Sequence, residues 1–144
     1  MLREAYYRVE GKFAYSNQLL PILYFITSDD KKLMGEIATG QGKSLITALY
    51  ASYKALEGNA VHVTSSTDNL SSRDYEENKK FYNYLDLKSF YIDENGIEGG
   101  GNYDKGAIYH SSQSNLYFFG ANMRLDGRQD VEINKKVLIA DEVD

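Results

Sequence analysis

These 144 residues predict an α/β fold, a parallel sheet with helices packed on both faces. Three observations carry that prediction. Short apolar runs, Val61-His62-Val63-Thr64, Ser89-Phe90-Tyr91-Ile92 and Val137-Leu138-Ile139-Ala140, have the length and composition of strands. Longer segments between them place apolar residues at helical spacing. One junction, Thr39-Gly40-Gln41-Gly42-Lys43-Ser44, is a glycine loop of the kind that joins a strand to a helix.

The elements follow in order. Leu2 to Glu10 has helical character, and Gln18 to Ile26 reads as a second helix within the most apolar stretch of the chain. Leu33 to Ala38 is short and mostly apolar, as a strand would be. After the glycine loop, Leu45, Ile46, Leu49, Tyr53 and Leu56 recur at helical spacing, and Gly58 is placed to end that helix. Val61 to Thr64 reads as a strand. Asn69 to Leu85 reads as a long polar helix with Leu70, Tyr75, Phe81, Tyr82 and Leu85 turned inward. Ser89 to Ile92 is a further strand, and Asp93 to Gly106 a loop or short hairpin whose glycine run forms a surface turn. Ala107 to His110 reads as a strand and Ser112 to Met123 as a helix, with Tyr117-Phe118-Phe119 packing into the core. Leu125 to Lys136 is a polar connection into Val137 to Ala140, a buried strand of a parallel sheet. No repeat or linker divides the chain, so residues 1–144 read as one domain.

The glycine loop carries chemistry. A triphosphate crowds negative oxygens into a small volume. Consecutive backbone N–H groups of a tight loop can point at them, and the following helix adds its positive end. Thr39, Gly40, Gln41 and Gly42 supply the loop, and the glycines let the chain approach phosphate closely. Lys43 reaches the β- and γ-phosphates, and the Ser44 hydroxyl ligates Mg²⁺. The longer phosphate-loop pattern has a further glycine where this chain has Ile37, so the match is to the shorter form used by helicase-like motors. At the other end, Asp141-Glu142-Val143-Asp144 follows a strand, where ligands of open α/β sheets bind. Asp141 suits Mg²⁺, a hard cation that takes oxygen ligands, and Glu142 suits a base that deprotonates an attacking water. The two motifs together specify nucleoside triphosphate binding and point to hydrolysis.

Composition excludes other classes. The net charge of −5 gives no general surface for a phosphate backbone. There is no cysteine, hence no disulfide and no thiolate metal site, and His62 and His110 alone cannot build a zinc centre. The apolar stretch from Leu19 to Ile26 is far below the ~20 residues a membrane span needs. No leader opens the sequence, so a cytoplasmic protein, peripheral to a membrane at most, is expected.

The order of motifs resembles the first nucleotide-binding, DEAD-like motor domain of the SecA family, the ATPases that drive preproteins through the bacterial Sec channel. Arg3-Glu4-Ala5, Arg8-Val9, Gly11 and Gln18-Leu19 resemble the family's first segment. Glu36 and Thr39 to Ser44 resemble its phosphate loop, Val61 to Thr64 with Asp68, Leu70, Arg73 and Asp74 its next motif, and Ile139 to Asp144 its Asp-Glu-Val-Asp. The resemblance implies a P-loop fold of RecA-like, helicase-like type, with Gln18 reading the adenine edge. Gln41 stands for the family's glutamate, Phe13 for an arginine, and Tyr109-His110-Ser111 for Tyr-Gly-Thr, while the Asp-Tyr-Leu-Arg-Asp that follows is lost around Tyr117 to Ala121. This marks a divergent, accessory type. The family polypeptide continues beyond the Asp-Glu-Val-Asp with a preprotein-binding domain and a second motor domain, whose arginines complete the ATP site. The resemblance therefore implies part of a motor domain that binds ATP and Mg²⁺, has little turnover alone, and works with a second motor domain, preprotein and a Sec-type channel at the inner membrane. Two other readings remain: a nucleic-acid helicase fragment, and a nucleotide-binding interaction module without turnover.

Overall fold

The computed structural model describes residues 2–10, 43–100, 103, 105–125 and 136–140. The expected helix at Gln18–Ile26, the strand at Leu33–Ala38 and most of the connection from Leu125 to Lys136 lie outside the described residues.

Helix α1 (Leu2–Glu10) turns Leu2, Ala5 and Val9 to the core. Glu4 and Arg8 pair at 2.7 Å on its exposed outer side, one turn apart, where water screens the pair. Helix α2 (Lys43–Leu56) buries Leu45, Ile46, Ala48, Leu49, Ala51, Ser52 and Ala55. Four of those seven are alanine or serine, so its backbone can lie close to its neighbours. Tyr53 is half-buried and Leu56 is exposed, so the inward stripe ends at Ala55, one residue before the last position the spacing predicts.

The end of α2 follows from one glycine. Gly58 takes φ +93°, its N–H donates to the Ala55 carbonyl (2.9 Å), and the Asn59 N–H donates to the Lys54 carbonyl (3.2 Å). This paired arrangement satisfies the last helical carbonyls, and it needs a residue at home in the left-handed region. The chain reverses there into strand β1 (Ala60–Ser65). Helix α3 (Asp68–Tyr84) starts at Thr67, whose hydroxyl accepts the Leu70 N–H at 3.3 Å. Phe81 and Tyr82 are fully buried on it, with Leu70, Tyr75 and Leu85 half-buried, as the spacing predicts. Strand β2 (Lys88–Asp93) turns through Glu94 and Asn95 into the two-residue strand β3 (Gly96–Ile97). The expected short hairpin is therefore present, closed by the Asn95 N–H on Asp93 Oδ1 (2.8 Å). A 3₁₀ turn, Glu98–Gly100, follows. Strand β4 (Ala107–Ser112), helix α4 (Gln113–Leu125) and strand β5 (Lys136–Ala140) complete the described chain.

The strands form one sheet in the order β3-β2-β4-β1-β5. The four longer strands run parallel and only β3 is antiparallel. Helices lie on both faces, as expected. Val61 and Val63 of β1 and Ile108 of β4 face a core built with α1, α2 and α3. Ala60, Ala107, Tyr109 and Ile92 face a smaller core closed by Phe119 and Met123 of α4. Among the described residues no helix is long and apolar enough to cross a membrane.

Two expectations are corrected. Tyr117 and Phe118 are exposed, and only Phe119 of that trio enters the core. Three consecutive residues of a helix span about 200° of its circumference, so one face cannot bury all three. Strand β5 is half-buried to exposed, with Leu138 63% exposed, because it is the edge of the described sheet and pairs only with β1. Val137 and Ile139 meet the α1–α2 core, while Leu138 and Ala140 point to the opposite face.

Candidate nucleotide site at the carboxyl end of the sheet

In a parallel sheet all strands finish on one side, and here Asp93, Ser112, Ser65 and Ala140 end β2, β4, β1 and β5 at a common rim. Three helices begin at that rim. Helices α3 and α4 start directly after β1 and β4. Helix α2 reaches β1 through only Glu57, Gly58 and Asn59, so it runs back along the strand and its first residue, Lys43, lies toward the same end. Each helix start leaves N–H groups without helical partners and carries partial positive charge.

Two of these starts are closed by the protein. Thr67 caps α3, and Ser112 Oγ accepts the Asn115 N–H (3.2 Å) at the start of α4. They are also tied together. Asn115 Nδ2 donates to Asp68 Oδ1 (2.8 Å), and Ser71 Oγ donates to the Ser111 carbonyl (2.6 Å). Ser65 Oγ donates to Asp74 Oδ2 at 3.4 Å, joining β1 to α3. Neither Asn115 nor Ser112 stands out in the sequence. A serine three residues before a helical N–H was the available signal for Ser112, whereas the Asn115–Asp68 contact spans 47 residues and has no local signature. The first turn of α2, like that of α4, contains no acidic residue, so no carboxylate there would repel an anion, whereas α3 begins with Asp68. In sequence the donor set fits a phosphate: a glycine loop, then a lysine and a serine at a helix start.

Lys43 and Ser44 lie in the first turn of α2, where the backbone is described. Gln18, Thr39, Gly40, Gln41 and Gly42 lie outside the described residues, as do Asp141 and Glu142. Strand β5 brings the chain to the rim at Ala140, one residue short of Asp141, with Ala140 beside Thr64 of β1. Among the described residues no group of three His, Asp or Glu side chains could hold a metal ion. A small cavity of about 120 Å³, lined by Asp93, Glu94, Asn95, Phe119, Asn122 and Met123, belongs to the opposite edge of the sheet from β5.

The surroundings of the rim are set by burial. The Tyr91 phenol is pushed up by desolvation, then by Asp68, Asp93 and Glu98, so it stays neutral near pH 7. His62 and His110 are both buried in the sheet. His62 Nε2 lies 2.6 Å from the Tyr103 hydroxyl, and its ring stacks on Tyr109 at 5.4 Å.

Comparison with known proteins places the chain in a family. The family model for the SecA DEAD-like domain matches residues 1–144. The chain is similar to "Protein translocase subunit SecA" of Ehrlichia canis, 32% identical over 148 residues covering 100% of this chain and 17% of that protein. It is 30% identical to the protein of the same name from Dichelobacter nodosus, over 100% of this chain and 16% of the relative. The corresponding protein of Ehrlichia ruminantium is 34% identical over 79% of this chain and 13% of its own length. The chain thus spans about one sixth of the relatives that it matches from end to end.

Proposed function

The chain belongs to the SecA DEAD-like domain family, and from that footing we propose that it is the ATP-binding part of a protein translocase motor. The observation that carries the proposal is the start of α2. It opens at Lys43 immediately after the glycine loop, toward the end of the sheet where β5 delivers the chain to Asp141. Thr39 to Gly42 would wrap the phosphates with backbone N–H groups, Lys43 would meet the β- and γ-phosphates, and Gln18 would read the adenine edge. Ser44 and Asp141 are the oxygen donors that would hold Mg²⁺, which supplies charge neutralisation to the phosphates when bound. Glu142 would orient water and accept its proton.

Turnover would depend on more than these residues. An arginine supplied from another domain is worth about 10³–10⁵ in rate in related phosphate-loop enzymes. The proposed partner is therefore a second motor domain. Nucleotide held between the two would shift their open and closed populations, moving a preprotein at a Sec-type channel on the cytoplasmic side of the membrane.

The test is thermal unfolding with and without Mg²⁺-ATP or Mg²⁺-ADP. Nucleotide at a hundredfold over its Kd stabilises by about 2.7 kcal/mol. At 144 residues each kcal/mol raises Tm by about 2–4 °C or slightly more. Lys43→Ala should abolish the shift. An unchanged shift in that variant would remove the phosphate loop from the site, and no shift in the unaltered chain would leave an interaction module without nucleotide.

A further inference from the structure

The most unusual buried group is His110, 1% exposed near the carboxyl end of β4. Neither of its ring nitrogens has a hydrogen-bond partner among the described residues. A neutral imidazole carries one donor and one acceptor, and leaving both unmet indoors is costly. The ring is enclosed by aromatics of α3, with Tyr75 and Tyr82 each at 5.9 Å between centroids. Its sheet neighbours are Val63 on β1 and Tyr91 on β2.

We propose that His110 makes the seating of α3 on the sheet acid-sensitive: a proton taken up from solvent by its ring drives α3 off β4 and opens that face of the sheet. The groups facing it cannot offset a positive charge. Tyr75 and Tyr82 come from α3 and Tyr91 from β2, all phenols, while Val63 from β1 is apolar. Lys79 Nζ already lies over the Tyr75 ring at 5.4 Å and adds a like charge. The carboxylate of Asp74 is taken up by Ser65 and Arg73. An imidazolium here has no anion within hydrogen-bond reach among the described residues, and the simplest relief is for α3 to lift so that water reaches the ring. Because Asp68 and Ser71 bind α3 to α4 and to the Ser111 carbonyl, its departure would also dismantle the rim.

The sign follows from burial, which lowers the ring from 6.5 to about 4. Stability from neutral His110 is complete above the unfolded value. It is lost as pH falls from 6.5 toward about 4, because the unfolded chain takes the proton first. Between pH 7 and pH 5 this linkage lowers the folding equilibrium constant by roughly 20-fold.

Urea midpoints of the whole chain at pH 7 and pH 5, beside His110→Leu, measure that loss. The chain should lose about 20-fold more in equilibrium constant than the variant over this interval. An equal loss in both overturns the proposal. In parallel, nuclear magnetic resonance of the unaltered chain follows the ring carbon of His110 with pH, and amide exchange is read at both values. The ring should show no titration while the chain is folded, and α3 amides should open faster at pH 5 after correction for intrinsic rates. A ring titrating near 6.5 in the folded chain, or α3 protected equally at both values, overturns the idea whether or not the variant folds.

Discussion

At the scale of single residues, a few stacked aromatic rings are set in a core that is otherwise mostly aliphatic. Tyr109, fully buried on β4, has His62 on one side (5.4 Å), Phe90 on the other (5.5 Å) and Tyr103 near by (5.1 Å). On the opposite face Phe81 and Tyr82 are both 0% exposed and adjacent on α3, with ring centres 5.9 Å apart. Such rings fill space that nothing else in a small core can fill. Phe81→Ala should therefore cost about 3–5 kcal/mol, read as a lower urea midpoint at unchanged slope. Buried polar residues are mostly answered locally. Asn78 Nδ2 donates to the Asp74 carbonyl one turn back, and Ser52 Oγ to the Ala48 carbonyl. The two ring nitrogens of His110 and the Ser111 hydroxyl have no such partner among the described residues.

At the scale of elements, two helices end in the same way with different residues. Helix α2 closes through Gly58. Helix α3 closes through Asp86 at φ 59°, with the Asp86 N–H on the Asn83 carbonyl (3.1 Å) and the Leu87 N–H on the Tyr82 carbonyl (2.9 Å). Leu87 then packs into the core that holds Tyr82, the apolar contact that accompanies this ending. The left-handed region costs a residue with a Cβ about 1–2 kcal/mol, somewhat less for aspartate. Asp86→Gly should then stabilise the chain by roughly 0.5–1 kcal/mol, and Gly58→Ala should destabilise it by about 1 kcal/mol, although no heavy atom lies within 4 Å of the added methyl. Both are read from thermal midpoints. At the start of α3, Thr67→Ala removes the hydroxyl that accepts the Leu70 N–H and should cost about 1 kcal/mol.

At the scale of the molecule, the sheet is asymmetric. One face carries α1, α2 and α3, and the other carries α4 over β2 and β4. Leu138 on β5 stays open on the α4 side, and so does the outer surface of α4 with Tyr117 and Phe118. A strand buried on both faces would lose several kcal/mol on losing a leucine. Leu138→Thr should instead change stability by no more than about 0.5 kcal/mol, checked by urea unfolding. A large loss would mean that this side of β5 is covered in solution. The network that joins Asp68 to Asn115 holds the α3 and α4 starts as one unit beside the proposed nucleotide.

Much of this was readable from the residues alone, because it rests on local rules. Period and turn chemistry located α1 to α4 and the strands within two or three residues, and Gly58 announced the end of α2. The proposed phosphate loop and carboxylate pair are contiguous motifs, so the proposal could be made from the sequence without a fold. Three things were decided only by tertiary structure. Strand order put β5 at the edge of the described sheet, and an apolar run alone cannot say where in the order a strand falls. Helix rotation sent Tyr117 and Phe118 outward and Phe119 inward, since similar rings in sequence carry no mark of direction. Packing took a histidine whose sequence neighbours are polar or aromatic and enclosed it between α3 and the sheet. Burial is a property of what lies above a residue, and what lies above His110 is 28 and 35 positions away, at Tyr82 and Tyr75.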